Sequence, residues 1–281
     1  VGSEMCIRDS GQRARATNNQ SIAIGAHTSA TGDQSTAIGN NTVATGNSAV
    51  AIGGDDLDMV SKVGNDWNQS NTAKAYKRLT GDDLVGPTTY ISTQAGDAAV
   101  AVGVQAKAGG ALSTAFGTRT EATGLASLAL GVGAKVTREN AVAIGAGSVA
   151  DNTVVGTPET TATIPTANGQ PLTYTFSGGA NTTENDIVSF GKVGFERQLK
   201  HVAAGKIADG STDAVNGSQL YAVASKIQTQ LTHYYSVKST EQAAGSNYNN
   251  DGATGTNALA AGVKTVATGD SSVAVGTEAK T

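Results

Sequence analysis

Apolar residues recur along this chain in a short phrase that returns every 14 positions. Ser21-Ile-Ala-Ile-Gly25 becomes Ser35-Thr-Ala-Ile-Gly39 and then Ala49-Val-Ala-Ile-Gly53. After an interruption it resumes as Ala99-Val-Ala-Val-Gly103, Ser113-Thr-Ala-Phe-Gly117, Ser127-Leu-Ala-Leu-Gly131 and Ala141-Val-Ala-Ile-Gly145. Ala258-Leu-Ala-Ala-Gly262 and Ser272-Val-Ala-Val-Gly276 are two later copies. A fixed short period means one small unit stacked many times. A second glycine falls seven residues before the first kind: Gly32, Gly46, Gly124 and Gly269 stand in Ala-Thr-Gly, and Gly96, Gly110 and Gly255 hold the same phase. Each unit therefore parses as five, two, five and two residues, with glycine at both strand ends to permit the positive φ of a tight corner. Two glycines per unit exclude a helix, since each costs about 1 kcal/mol relative to alanine. The pattern predicts a mainly β chain, a parallel β-roll whose successive coils lie about 4.8 Å apart.

The two strands of the unit differ. Thr28-Ser-Ala-Thr-Gly32 is polar around one apolar residue, the mark of a strand with one wet face. Ile22, Ala23 and Ile24 are apolar in succession, which calls for burial on both faces. If the alanines Ala23, Ala37 and Ala51 fill a thin interior opposite Ala30 and Ala44, the larger side chains point outward onto a partner. These are Ile24, Ile38, Ile52, Val102, Phe116, Leu130 and Ile144. With the parity reversed, the need for a partner is the same. Aromatics make up only 4% of the chain, so a monomer has few large groups with which to build its own core. Shared burial in a homo-oligomer supplies the lack.

Other segments break the register. Residues 1–10 match neither the repeat nor the composition that follows and read as a non-native scar, excluded from fold reasoning. Roll coils occupy 11–53 and 99–150, separated by an insert at 54–98 that opens on Gly54-Asp-Asp-Leu-Asp58 and holds a helical stretch around Thr72–Leu79. A second insert at 151–186 contains Thr161-Ala-Thr-Ile164 and Pro171-Leu-Thr-Tyr-Thr-Phe176 around Asn168-Gly169, the pattern of a β-hairpin. A last degraded turn and a connector fill 187–217. Leu220, Ala224, Ile227, Leu231 and Tyr234 are then spaced as a heptad stripe, predicting a short coiled coil over 218–236, with Gly217 and Ser218 at its start. A second roll begins within 237–281.

With these segments in place, the chain resembles the trimeric autotransporter adhesins of Gram-negative bacteria, the group typified by the Yersinia adhesin. The repeats from Ser21 to Gly145 resemble that family's head. Glu196-Arg-Gln-Leu-Lys-His-Val-Ala-Ala-Gly205 followed by Thr212-Asp-Ala-Val-Asn-Gly-Ser-Gln-Leu220 resembles its neck, with Val202, Gly205, Asp213, Ala214, Val215, Asn216 and Gln219 at the matching positions. The resemblance spans nearly all of residues 18–281. It implies a left-handed parallel β-roll, a homotrimer, and a neck that narrows the head onto a coiled coil with Leu220, Ile227 and Leu231 in its core. It further implies type V secretion and a place on the cell surface, held in the outer membrane by a C-terminal anchor that this sequence lacks, so the chain is expected to be a piece of a longer protein. The implied partners are host matrix or cell-surface proteins of the collagen, fibronectin or laminin class. The 151–186 insert departs from the family pattern.

Candidate chemistry is sparse. A net charge of −4 gives no footprint for nucleic acid, and no run of about 20 apolar residues suits a membrane helix. Cys6 is the only cysteine, which excludes a disulfide framework and a thiol metal site. His27, His201 and His233 lie in three separate contexts and read as structural or solvated. Asp55, Asp56 and Asp58 lack EF-hand spacing and read as turn or cap carboxylates. No phosphate loop is present, and a hexapeptide-repeat acyltransferase would need a different period. The expectation is a non-enzymatic chain without cofactor or metal. Trp67, Tyr76 and Tyr90 are candidates for a binding patch, against the plainer reading that they pack the insert on the roll. Two functions follow: an adhesin head acting by multivalency, or a spacer head without a ligand of its own.

Overall fold

The computed structural model describes residues 8–86, 90–152, 160–164, 171–177, 186–229 and 237–281. It divides into two compact units, Val1–Thr157 with Asn181–Leu199, and Pro158–Ala180 with Lys200–Thr281.

The first unit is a parallel β-solenoid of stacked coils. One coil runs through the strand Ile22–Ile24, a corner opened by Gly25, the strand Ser29–Ala30 and a second corner opened by Gly32. The next coil stacks in register, Ile22 beside Thr36, Ala23 beside Ala37 and Ile24 beside Ile38. Among the described residues the longer strands form a sheet of nine and the shorter ones a sheet of eight, all parallel. The insert does not break the stack, because Val50, Ala51 and Ile52 lie beside Val100, Ala101 and Val102. Its return strand Gln94–Ala95 lies beside Val43–Ala44.

Two details correct the expected coil. Most strands are two or three residues long rather than five, because each corner takes up the residues after its glycine as well, and only Val50–Gly54 and Val100–Val104, which flank the insert, reach five. The two glycines share one role and differ in another. Both are required by close stacking, for a Cβ on Gly25 would lie 1.7 Å from the Gly39 carbonyl oxygen and one on Gly32 1.8 Å from that of Gly46. Gly25 is in addition at φ +125°, which Gly32 is not. The left-handed residue of each corner comes two positions after the glycine, as at His27 (φ +54°) and Gln34 (φ +55°). The boundary set at residue 10 also moves, for Arg8–Ser10 forms the first strand, with Arg8 beside Ile22. Backbone pairing accepts any sequence, and Asp9, standing where other coils have alanine, is exposed on this terminal coil.

The interior is built almost wholly of alanine. Ala23, Ala30, Ala37, Ala44, Ala101, Ala115, Ala129 and Ala143 are fully buried, and Val136 is the largest side chain among the most deeply buried residues. Such a core makes a thin roll, and large side chains on these strands have room only outside.

The insert folds as helices α1 (Asp58–Ser61) and α2 (Asn71–Thr80). Ser70 caps α2 by accepting from the Ala73 N–H, and Gly81 ends it at φ +83°.

In the second unit Thr161–Ile164 pairs antiparallel with Leu172–Thr175. Helix α3 spans Gly217–Thr229, and Leu259–Ala261 lies parallel beside Val273–Val275 at the 14-residue period. The α3 start is held by Asn216, whose side-chain oxygen accepts from the Gln219 N–H and the Ser218 hydroxyl. Leu220 is two-thirds exposed on α3. The Ile227 side chain and all of Leu231, Tyr234 and His233 lie outside the described residues, as do Cys6 and Asn168-Gly169.

Candidate functional site

The alanine interior fixes which way the larger residues face. Ala23, Ala37 and Ala51 point inward, so Ile24, Ile38, Ile52, Val102, Phe116, Leu130 and Ile144 line up as one outward row on the nine-stranded sheet. Ile24, Ile52, Phe116 and Leu130 are 39, 38, 52 and 40% exposed, and Ile38, Val102 and Ile144 are half-buried. The neighbouring outward row is mostly apolar, with Ile22, Val50, Val100, Leu128 and Val142 interrupted by Thr36 and Thr114. The outward row of the eight-stranded sheet is polar by comparison, with Glu121 between Lys107 and Lys135 at 3.7 and 3.9 Å. One face of the roll is thus apolar along its length. Covering it would contribute about 1 kcal/mol for each large side chain that is already partly buried.

Hydroxyls inside the corners were not singled out in the sequence, and they complete the roll. The Thr28 hydroxyl, fully buried, donates to the Gly39 carbonyl of the next coil at 2.6 Å. Ser35, Ser113 and Ser127 donate to the carbonyls of Gly32, Gly110 and Gly124 at 2.7, 2.6 and 2.8 Å. Each satisfies a corner carbonyl that the short strands leave outside the ladder. The signal is a Ser or Thr three residues after the corner glycine, present at many corners and replaced by buried alanine at Ala49, Ala99, Ala106 and Ala134.

The three aromatic candidates separate. Tyr76 is 8% exposed, in a cluster with Leu57, Ala73, Leu84 and Val85 that packs on Val104 and Val132 of the roll. Burial pushes its hydroxyl above the ordinary phenol pKa, and it is not available as a binding surface. The reason lies in Gly133 and Gly147, where a Cβ would lie 2.5 Å from the Tyr76 hydroxyl and 2.7 Å from Thr80 Cα. Both glycines stand at the left-handed corner position, and this second glycine in Gly131-Val-Gly133 and Gly145-Ala-Gly147 is the sequence signal for the docking site. Arg119 fastens the same contact by donating to the carbonyls of Leu84 and Asp83.

Trp67 and Tyr90 stay at the surface and are joined through charged groups. Lys62 sits 3.5 Å over the Trp67 ring and 3.0 Å from Asp58, and Asp58 accepts from the Tyr90 hydroxyl at 3.0 Å. That hydrogen bond raises the Tyr90 pKa. Asp56 accepts from the Asp58 N–H, and Asp55 accepts from Asn41. Among the described residues no three His, Cys, Asp or Glu side chains converge on a metal position. His27 lies on a roll corner with its Nε2 3.4 Å from Arg13, and His201 lies in the connector.

The connector closes on itself. Gln219 donates to the Gly205 carbonyl at 2.6 Å and accepts from the Gly205 N–H at 3.1 Å. Asn216 donates to the Val202 carbonyl, and Asp213 accepts from the Lys206 N–H. A Cβ on Gly205 would lie 2.5 Å from the Ala214 carbonyl oxygen, which requires glycine there. Val215 is 64% exposed.

Comparison with known proteins follows the same division. The family described as YadA head domain repeat matches residues 10–28, 30–55, 95–120, 122–148 and 253–279. The coiled stalk of trimeric autotransporter adhesin matches residues 198–243. The autotransporter adhesin BtaE of Brucella suis biovar 1 is 51% identical over 63 residues, which is 22% of this chain and 8% of that protein's length. The C-terminal YadA-like domain of a Burkholderia pseudomallei protein aligns at 38% identity and TM-score 0.33, over 39% of this chain and 46% of that one. The collagen-binding domain of the Yersinia adhesin YadA aligns at 23% identity and TM-score 0.41, over 80% of this chain and 90% of that one.

Proposed function

The chain belongs to the trimeric autotransporter adhesins, and on that footing we propose that its rolls assemble as a homotrimer that attaches bacteria to host matrix or cells. The observation that carries the assembly is the outward apolar row from Ile24 to Ile144. In this reading the rows of three rolls meet at one axis, so that a side chain with no room in the alanine interior is buried between chains. In the same reading Leu220, exposed on α3, opens the heptad stripe of a coiled-coil stalk shared by the three chains.

Attachment then works by repetition. Three copies of each outer surface, and a second roll after the stalk, convert weak contacts into avidity without a deep pocket. The polar sheet and the surface aromatics Trp67 and Tyr90 remain outside such an interface and are the surfaces offered to a ligand of the collagen, fibronectin or laminin class. The family and fold work by attachment rather than by chemistry. No helix among the described residues is long and apolar enough to cross a membrane, and the proposed location is the cell surface through an outer-membrane anchor elsewhere in the full protein.

Immobilised collagen, fibronectin and laminin test the reading. Saturable binding of the purified chain to one of them, weakened several-fold by Trp67→Ala with Tyr90→Ala, is the expected result. A trimer that binds none of the three would make this head a spacer.

A further inference from the structure

Between the last two coils of the first roll the chain carries a second apolar surface, set on a hairpin. Thr161 lies opposite Thr175, Ala162 opposite Tyr174, Thr163 opposite Thr173 and Ile164 opposite Leu172. Side chains alternate across a strand, so the four threonines share one face and Ala162, Ile164, Leu172 and Tyr174 share the other. The hydroxyls of Thr163 and Thr173 meet at 3.2 Å on the threonine face. Phe176 extends the apolar face, its N–H donating to the Thr160 carbonyl at 2.7 Å. Ile164, Leu172, Tyr174 and Phe176 are 52, 52, 47 and 48% exposed.

A two-stranded hairpin alone is marginal in water and needs a third element or a covered face to persist. Among the described residues of its own unit, its strands touch no other strand or helix. We propose that the apolar faces of these hairpins pack against one another between copies of this chain, forming an inter-chain contact separate from that of the rolls. The described hairpin residues, 160–164 and 171–177, carry no charged side chain. Nothing there recognises a charged ligand, and nothing repels an identical face. The inference rests on the trimer proposed above. Joined through their rolls, the hairpins of three chains meet at an effective concentration in the millimolar range, where even a small apolar face associates. The threonine face stays in water, where its hydroxyls find partners.

Cysteine cross-linking of the full chain tests this, in a Cys6→Ser background. Leu172→Cys and Tyr174→Cys place a thiol on the apolar face, and Thr173→Cys places one on the opposite face of the same strand. Treatment with a short bismaleimide should give several-fold more covalent dimer at 172 and 174 than at 173 on a denaturing gel. Light scattering on the same samples reads the assembly itself. A trimer with equal cross-linking at all three positions, or with none, overturns the hairpin contact and leaves the trimer standing. A monomer overturns both.

Discussion

Gly32 opens the second corner of its coil and Gly109 stands one residue before the equivalent Gly110, and an added methyl group meets different surroundings at each. At Gly32 it would lie 1.8 Å from a backbone oxygen of the next coil, and at Gly109 its nearest neighbour is a threonine methyl at 3.5 Å. Gly32→Ala should destabilise the roll by about 3 kcal/mol, the upper range for overpacking, while Gly109→Ala should stay within about 0.5 kcal/mol of the parent. Urea titration followed by circular dichroism separates the two, and similar midpoints would contradict the stacking account. Thr93 offers a second comparison. Its buried hydroxyl shares its one proton between the carbonyls of Gly103 and Gly54, at 2.7 and 2.9 Å, and accepts from the Gly54 N–H at 3.1 Å, joining both ends of the insert to the coil. Thr93→Val should cost about 2–3 kcal/mol, and Thr93→Ser should recover most of it. Glycine spacing was legible because the period displays it. The steric demand at both kinds of corner glycine was not, since the backbone each meets sits in the next coil, 14 residues away.

The insert shows where reading elements from sequence reaches its limit. Its second helix could be read locally, because the stretch Thr72–Leu79 lies within the amphipathic α2. Its docking could not, because Tyr76 and Thr80 meet glycines more than 50 residues further on, at Gly133 and Gly147. Tyr76 also makes this contact sensitive to alkali. Burial holds its hydroxyl above the ordinary value of 10.0, so the folded insert keeps a proton that the unfolded chain releases. The stabilisation is therefore complete below about pH 10 and is lost as pH rises through the folded value. Hydrogen exchange in α2 should accelerate above pH 10 more than the intrinsic rate requires, and Tyr76→Phe should remove the excess. Equal pH dependence in both proteins would place the sensitivity elsewhere. The polar shell of the insert, Lys62 over Trp67 with Asp58 and Tyr90, was visible in the sequence only as separate residues.

For the whole molecule the decisive relation is between a core of alanine and an outer row of larger side chains. The need for a second covered face was legible, because three consecutive apolar residues on one strand cannot all face a thin interior, but which of them point inward was left open by the sequence and follows from the burial of the alanines. The count of three chains was carried by the resemblance of the connector and the heptads, not by the roll itself. Phe116, at 52% exposure, is costly to leave in water and contributes nothing to the alanine interior. Phe116→Asp should therefore leave the coil's own stacking intact and dissociate the assembly. Lys107→Asp, on the polar sheet beside Glu121, should leave the assembly unchanged. The most direct test is the molar mass of the unmodified chain by light scattering at micromolar concentration. A mass three times the 28.0 kDa chain, falling towards the single chain in Phe116→Asp, is the result this account predicts. A stable, well-folded monomer of the unmodified chain would contradict it.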